Sequence, residues 1–184
     1  NMAFSVTEFQ GQMEFGGARP SLFECNITNP FNSSADDKVR FMAKASAIPA
    51  STLSVIETQY FGRPVKFAGN RTFEEWSVTI INDEDFAVRS TLEEWHQNIN
   101  TVQGNVRQAG AGPEAYKSQG SVIQYGKQGN ILREYKFVGI FPVTIPAIEL
   151  SWETADAIEE FAVTFAYDYF TVDNASEFGI AINT

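Results

Sequence analysis

The sequence predicts a mainly β protein, an antiparallel β-sandwich or open barrel with one flanking α-helix at about residues 83–100 and a long projecting hairpin at about residues 50–70. Three observations carry this. Apolar and polar residues alternate with a period of two in several separate runs, turn signals rich in Gly, Pro and Asn divide those runs, and only one stretch shows an apolar stripe at helical spacing. An aromatic content of 14% supplies bulky side chains for a core between sheets. At 184 residues the chain has the size of one domain, which buries roughly 70% of its unfolded surface without needing staples. Residues 1–18 read as an N-terminal arm of that domain and residues 171–184 as its C-terminal tail.

In chain order, PSLFECNIT (20–28) and KVRFMAKASAIP (38–49) read as two strands of a hairpin about the polar loop NPFNSSADD. In TLSVIETQYFGRPVKFAG the arms Thr52 to Tyr60 and Val65 to Phe67 favour β structure and join about Gly62-Arg63-Pro64. Trp76, Val78 and Ile80 then alternate with Ser77, Thr79 and Ile81, the mark of a half-buried strand. From Asp83 to about Asn100, Val88, Leu92, Trp95 and Ile99 recur at spacings of four, three and four, while Arg89, Glu93, Glu94 and Gln97 are expected to point away.

Residues 100–119 lack an apolar period and read as a long loop. Ser121 to Tyr125 and Asn130 to Phe141 pair about GKQGN, where Gly129 and Asn130 can take positive φ. The final strong element, AIEEFAVTFAYDYFTV, places Phe161, Val163, Phe165, Tyr167 and Tyr169 on one face and Glu160, Ala162, Thr164, Ala166 and Asp168 on the other. The closing DNASEFGIAINT has the pattern of a tail that docks on the body or on a partner.

Composition narrows the function classes. A formal charge of −10 disfavours a protein that clamps nucleic acid by neutralising phosphates. Cys25 is the only cysteine, so no intrachain disulfide forms, and a small buried apolar side chain is the expected role rather than a nucleophile. No window reaches the ~20 apolar residues of a membrane helix, and NMAFSVTEFQ lacks the basic start of a signal peptide, so a soluble, unexported protein without membrane anchoring is expected. The sequons at Asn26, Asn32 and Asn70 then carry no weight.

The candidate chemical motifs resolve into structure. His96 is the only histidine, which rules out a multi-histidine metal site, and it reads as a solvated residue near the C-terminal end of the helix. Asn82-Asp83-Glu84-Asp85 lacks the spacing and central Gly of a calcium loop; Asn82 or Asp83 is expected to cap the helix that follows. Glu74 and Glu75, adjacent on an expected strand, point to opposite faces and cannot act together on one glycosidic bond. GAGP (110–113) has neither the spacing nor the preceding strand of a phosphate-binding loop. No catalytic residue, cofactor site or metal site is expected, and the chain reads as a non-enzymatic protein.

The order of these segments is informative in itself. AIPAS, the long hairpin ending YFGRPVKFAGNRTFEEWSVTIINDED, the helix with LEEW, and then VGIFPVTIPAIELSW and FAVTFAYDYF together resemble the tail tube proteins of contractile-tailed bacteriophages, from about Arg19 to Phe170. The resemblance implies a structural virion protein whose homohexameric rings stack into a tube, with inner sheets joined edge to edge into a continuous barrel. Genomic DNA would pass through the lumen, without specific binding, as a surrounding sheath contracts. It also implies tail sheath, baseplate and tail terminator or completion proteins as partners, and assembly in the host cytoplasm. In such a protein the hairpin reaches neighbouring subunits, a role that falls here on Tyr60, Phe61, Gly62, Arg63, Val65 and Phe67. The small and acidic face of the last strand, Glu160, Thr164 and Asp168, is a candidate lumen lining. The alternatives are a tube subunit of a non-viral contractile injection or secretion system, or a small β-sandwich enzyme acting on an envelope polymer.

Overall fold

Trp76, Val78 and Ile80 have no solvent exposure at all, and the residues between them are half-buried, as period two demands of a strand with one face in a core. The computed structural model describes residues 20–104, 112–148, 151 and 157–174. Its strands are β1 (Phe23–Ile27), β2 (Ala43–Ser46), β3 (Ser51–Tyr60), β4 (Arg63–Phe73), β5 (Trp76–Ile81), β6 (Ser118–Tyr125), β7 (Ile131–Thr144), β8 (Glu160–Ala166) and β9 (Tyr169–Asn174). Its helices are α1 (Asp36–Met42) and α2 (Ala87–Ile99).

Strands are ordered β1-β6-β7-β8-β5-β2, with β9 also on β7, and every ladder is antiparallel. The long strand β7 belongs to both halves of this sheet. Its first part pairs with β6 and β9, and its end, from Phe141, pairs with β8. Gly139, at φ 72, lies where the one set of partners gives way to the other. The two halves supply one core: Cys25, Ile27, Val122 and Phe137 from one, Trp76, Val78, Phe161, Val163 and Phe165 from the other. Trp76 stacks on Phe137 across it, with ring centroids 4.3 Å apart and planes 11° from parallel. Each such side chain removed from water contributes on the order of 1.5–3 kcal/mol.

Helix α2 buries Val88, Leu92 and Trp95, three members of the stripe read from the sequence, and also Thr91. The Trp95 indole reaches toward Phe165 and donates its N–H to the Tyr116 carbonyl at 2.9 Å. Arg89 does not point away. It lies over the Phe161 ring at 5.4 Å and donates to the Pro146 carbonyl.

Several expectations change. The runs 20–28 and 38–49 are not a hairpin: β1 pairs with β6 and β2 pairs with β5. Between them lies a second helix, α1, entered through a 3-10 turn at Ser33–Ala35 that is capped by the Asn32 side chain on the Ser34 N–H. Asp36 and Asp37 in the first turn and Arg40 in the last suit its dipole, and Val39 is its buried residue. The hairpin turn is Phe61-Gly62, so Arg63 and Pro64 belong to β4. In the β6–β7 turn Gly129 takes positive φ, and Asn130 does not.

Glu74 and Glu75 lie in the connection between β4 and β5, not on a strand. The long loop expected at 100–119 contains a 3-10 turn at Pro113–Ala115 and already enters β6 at Ser118, while residues 105–111 lie outside the described residues. The final alternating run is two strands. The chain bends at Tyr167-Asp168, after which Phe170 packs on the core and Tyr169 is exposed. Residues 171–174, read as the start of the tail, belong to β9; the arm at 1–18 and the rest of the tail lie outside the described residues.

Candidate assembly interface

Strands β3 and β4 form a separate two-stranded sheet, and almost every residue along it is exposed. Two-stranded hairpins are marginal in water on their own. This one is anchored at its base, where Glu74 N–H donates to the Ala50 carbonyl and Phe73 packs against Tyr167 and Phe170.

Register decides what the hairpin presents. Ile56 pairs with Phe67, Thr58 with Val65 and Tyr60 with Arg63, which puts these six side chains on one face. The opposite face carries Val55 with Ala68 and the ion pair of Glu57 with Lys66. Tyr60, Arg63, Val65 and Phe67, singled out from the sequence, therefore share a face, and Phe61-Gly62 forms the tip between them. Both tip residues have positive φ, 48 for Phe61 and 75 for Gly62, the geometry of a tight turn whose first position ordinarily favours Asn or Gly. Phe61 occupies it with 90% of its surface exposed, edge to face with Tyr60 at 4.7 Å. Apart from that one ring contact, an aromatic side chain in strained backbone and in water gains no cover from the described residues of its own subunit.

The hairpin also differs from the body in charge. Residues 51–73 hold three cations, Arg63, Lys66 and Arg71, against one anion, Glu57, a net of +2 that leaves −12 on the rest of a chain whose formal charge is −10.

Glu160 and Thr164 lie on the outward face of β8 with Ala162 and Ala166, opposite the buried Phe161, Val163 and Phe165. By register this face continues through Ser77, Thr79 and Ile81 on β5 and Thr144 on β7. Its side chains are short, and the Glu160 carboxylate is paired with Lys44 from β2. Asp168 is not on this face. It sits in the bend after β8, where its carboxylate accepts from the Lys117 ammonium at 2.7 and 2.9 Å.

The helix cap is also displaced from its expected place. Helix α2 begins at Ala87, and its N-cap is Phe86, in left-handed backbone at φ 51 and without a side-chain cap. Asn82 is buried instead, donating from Nδ2 to the Glu159 carboxylate at 2.7 Å. Asp83 accepts from the Glu84 N–H and Asp85 from the Ala87 N–H. Both carboxylates also meet Lys38 of α1, which lowers their pKa values and raises that of the lysine. The acidic cluster thus ties α1 to the start of α2. A left-handed phenylalanine before a helix has no sequence signature, and sequence reasoning missed it.

Among the described residues no group of three or more His, Cys, Asp or Glu side chains could hold a metal ion, and no helix is long and apolar enough to cross a membrane. Burial pushes the Cys25 thiol up to about 12, which keeps it protonated and unreactive. His96 is exposed in the last turn of α2, as read, and lines a groove of about 520 Å³ with Ile99, Val102, Phe141 and Val143.

Known proteins place this geometry in context. The family described as phage tail tube protein matches residues 6–173. The tail tube protein gp19 of Enterobacteria phage T4 is 34% identical over 154 residues, covering 83% of this chain and 90% of that protein. The tail tube protein of Serratia phage KSP90 is 26% identical over 168 residues, or 89% and 94%. Among solved structures, the PVC sheath-tube complex of an extracellular contractile injection system in its extended state aligns with a TM-score of 0.63 at 13% identity, over 94% of this chain and 99% of that one. The tube terminating cap of the anti-feeding prophage aligns with a TM-score of 0.62 at 14% identity, over 86% and 91%. At such identities these two likenesses speak to the fold alone.

Proposed function

The chain belongs to the phage tail tube protein family and is a structural subunit of a contractile bacteriophage tail tube, and we propose that six copies close into a ring and that rings stack through the β3–β4 hairpin. The observation that carries this is the hairpin itself: Ile56, Tyr60, Val65 and Phe67 on one face and Phe61 at the tip, all exposed and without cover from the described residues of the subunit. Tyr60, Phe61, Gly62, Arg63, Val65 and Phe67 are the contact residues in this reading.

The outward face of β8 and β5, with Glu160 and Thr164, lines the lumen. The many short hydroxyl and methyl side chains leave a channel smooth, and among the described residues the Lys44 ammonium beside that face is neutralised by Glu160, which weakens its hold on DNA phosphates. Genomic DNA passes without specific binding. Joining sheet edges between subunits covers strands such as β2, which pairs on one side only. Sheath, baseplate and terminator proteins contact the same tube, the subunits assemble in the host cytoplasm, and the protein has no catalytic role. The alternative of a non-viral injection-system tube is disfavoured, since the phage relative is 34% identical and the injection-system tube 13%.

Negative-stain microscopy of the purified protein, alone and with a baseplate nucleator, tests the reading. Stacked rings or long hollow tubes are expected. A monodisperse monomer at high concentration that the nucleator also fails to polymerise would overturn it.

A further inference from the structure

The hairpin tip needs a receiving site, and the groove at the end of α2 has the matching chemistry. It runs between the last turn of the helix, with Ile99 and the following Val102, and the β7 residues Phe141 and Val143. Val102 is 82% exposed, so no described residue of its own subunit fills the groove. The tip does not fill it in cis either, because Phe61 is 90% exposed.

Charge selects a second copy of this chain as the occupant. The hairpin is cationic on an otherwise acidic protein, so two hairpins repel while a hairpin and a body attract. Among the described residues Arg63 has no carboxylate partner, whereas Lys66 has Glu57. The groove ends at the C-terminus of α2, the negative end of the helix dipole, and His96 is the sole basic residue in that turn. We propose that the Tyr60-Phe61-Gly62-Arg63 tip of one subunit seats in the α2–β7 groove of another. Phe61 enters between Val102, Phe141 and Val143, and the Arg63 guanidinium meets the helix end. The inference rests on the tube-subunit reading and names the socket for the hairpin.

Cysteine cross-linking in assembled protein tests it. F61C and V102C both replace exposed side chains, so folding is not at stake; the Cys side chain keeps an apolar group at the tip, which Asn and Ser do not, so assembly is retained, and the buried Cys25 does not compete. If the tip seats as proposed, the two Cα atoms approach to about 7 Å or less, and oxidation of the F61C/V102C protein gives a ladder of covalent oligomers. Its yield should exceed that of an F61C/K127C control by roughly tenfold, because docked thiols react at a far higher effective concentration. Tubes whose F61C/V102C ladder is no stronger than the control would overturn the docking and leave the tube reading standing. So would tubes in which the F61C site cross-links to another tail component. Failure of the unsubstituted protein to form tubes with a nucleator would remove the tube reading, and the docking with it.

Discussion

Gly139 and Asp168 occupy one space: a Cβ on Gly139 would lie 2.2 Å from Asp168 Oδ2 and 2.9 Å from its Cγ. The contact joins two turning points of the chain, the point on β7 where its partners change and the bend that separates β8 from β9, and the Asp168 N–H donates to the Val138 carbonyl beside it. Gly139→Ala therefore meets both a steric conflict and a φ of 72 that only Gly adopts freely. We expect a loss of about 1–3 kcal/mol, seen as a drop of several degrees in Tm. Adding Asp168→Ala should recover part of the loss, since the clash disappears while the Lys117 ion pair, half in solvent, was worth little. Strictly additive losses would contradict the shared-space account.

The tip of the hairpin separates stability from assembly. Phe61→Asn puts a residue tolerant of left-handed backbone at the first turn position, so thermal stability should hold or rise by a few tenths of a kcal/mol. Polymerisation, followed by sedimentation or electron microscopy, should be lost. A variant that still forms tubes would show that Phe61 is not a contact.

The face of the hairpin gives a companion result. Phe61→Ser combined with Phe67→Ser should yield a folded monomer that does not polymerise, with a two-state melt close to that of the parent, because both side chains are more than half exposed. Wholesale unfolding, read by circular dichroism, would assign them to the subunit's own core.

Acid sensitivity should have an identifiable source in Glu24. Burial would raise its pKa, but hydrogen bonds from Asn26, Tyr125 and Arg40 outweigh that and hold it below the ordinary value of 4.5. A carboxylate whose pKa is depressed on folding stabilises fully above its unfolded value, and that contribution is lost as pH falls through the folded one. The parent should thus exceed Glu24→Gln in urea stability by about 1 kcal/mol at neutral pH, and the gap should narrow progressively as pH falls below the ordinary value of 4.5. A gap that widens in acid would reverse the sign and refute the account.

In the core, Trp76→Ala removes a fully buried indole stacked on Phe137 and the hydrogen bond from its N–H to Ser46 Oγ at 3.0 Å. The expected cost is about 3–5 kcal/mol, measurable by chemical denaturation, with assembly failing because the subunit fails.

Legibility followed the range of the signal. β5, the inward face of β8, the β3–β4 hairpin and the buried stripe of α2 are each written in local periodicity, and the structure has them near their expected bounds. α1 was not legible because KVRFM fits period two as well as a short helical turn, and only Val39 is buried to decide between them. The bend at Tyr167-Asp168 is hidden by a pattern that continues across it, so the sequence puts Asp168 on one face with Glu160 and Thr164, and the structure does not. The pairing of β1 with β6 and the groove between α2 and β7 join residues far apart in sequence, where periodicity carries no information. The hairpin contact residues came as a group from the family resemblance, and periodicity alone does not single them out; the register adds that Tyr60, Arg63, Val65 and Phe67 share one face.

A subunit with an aromatic, cationic plug and a socket on a different surface forms contacts that are heterologous and do not close between two copies. Every stack then has two unlike ends, one presenting unfilled plugs and the other unfilled sockets. Growth acquires a direction from the subunit itself, and a protein that starts the tube must imitate the opposite half of this contact from the protein that stops it.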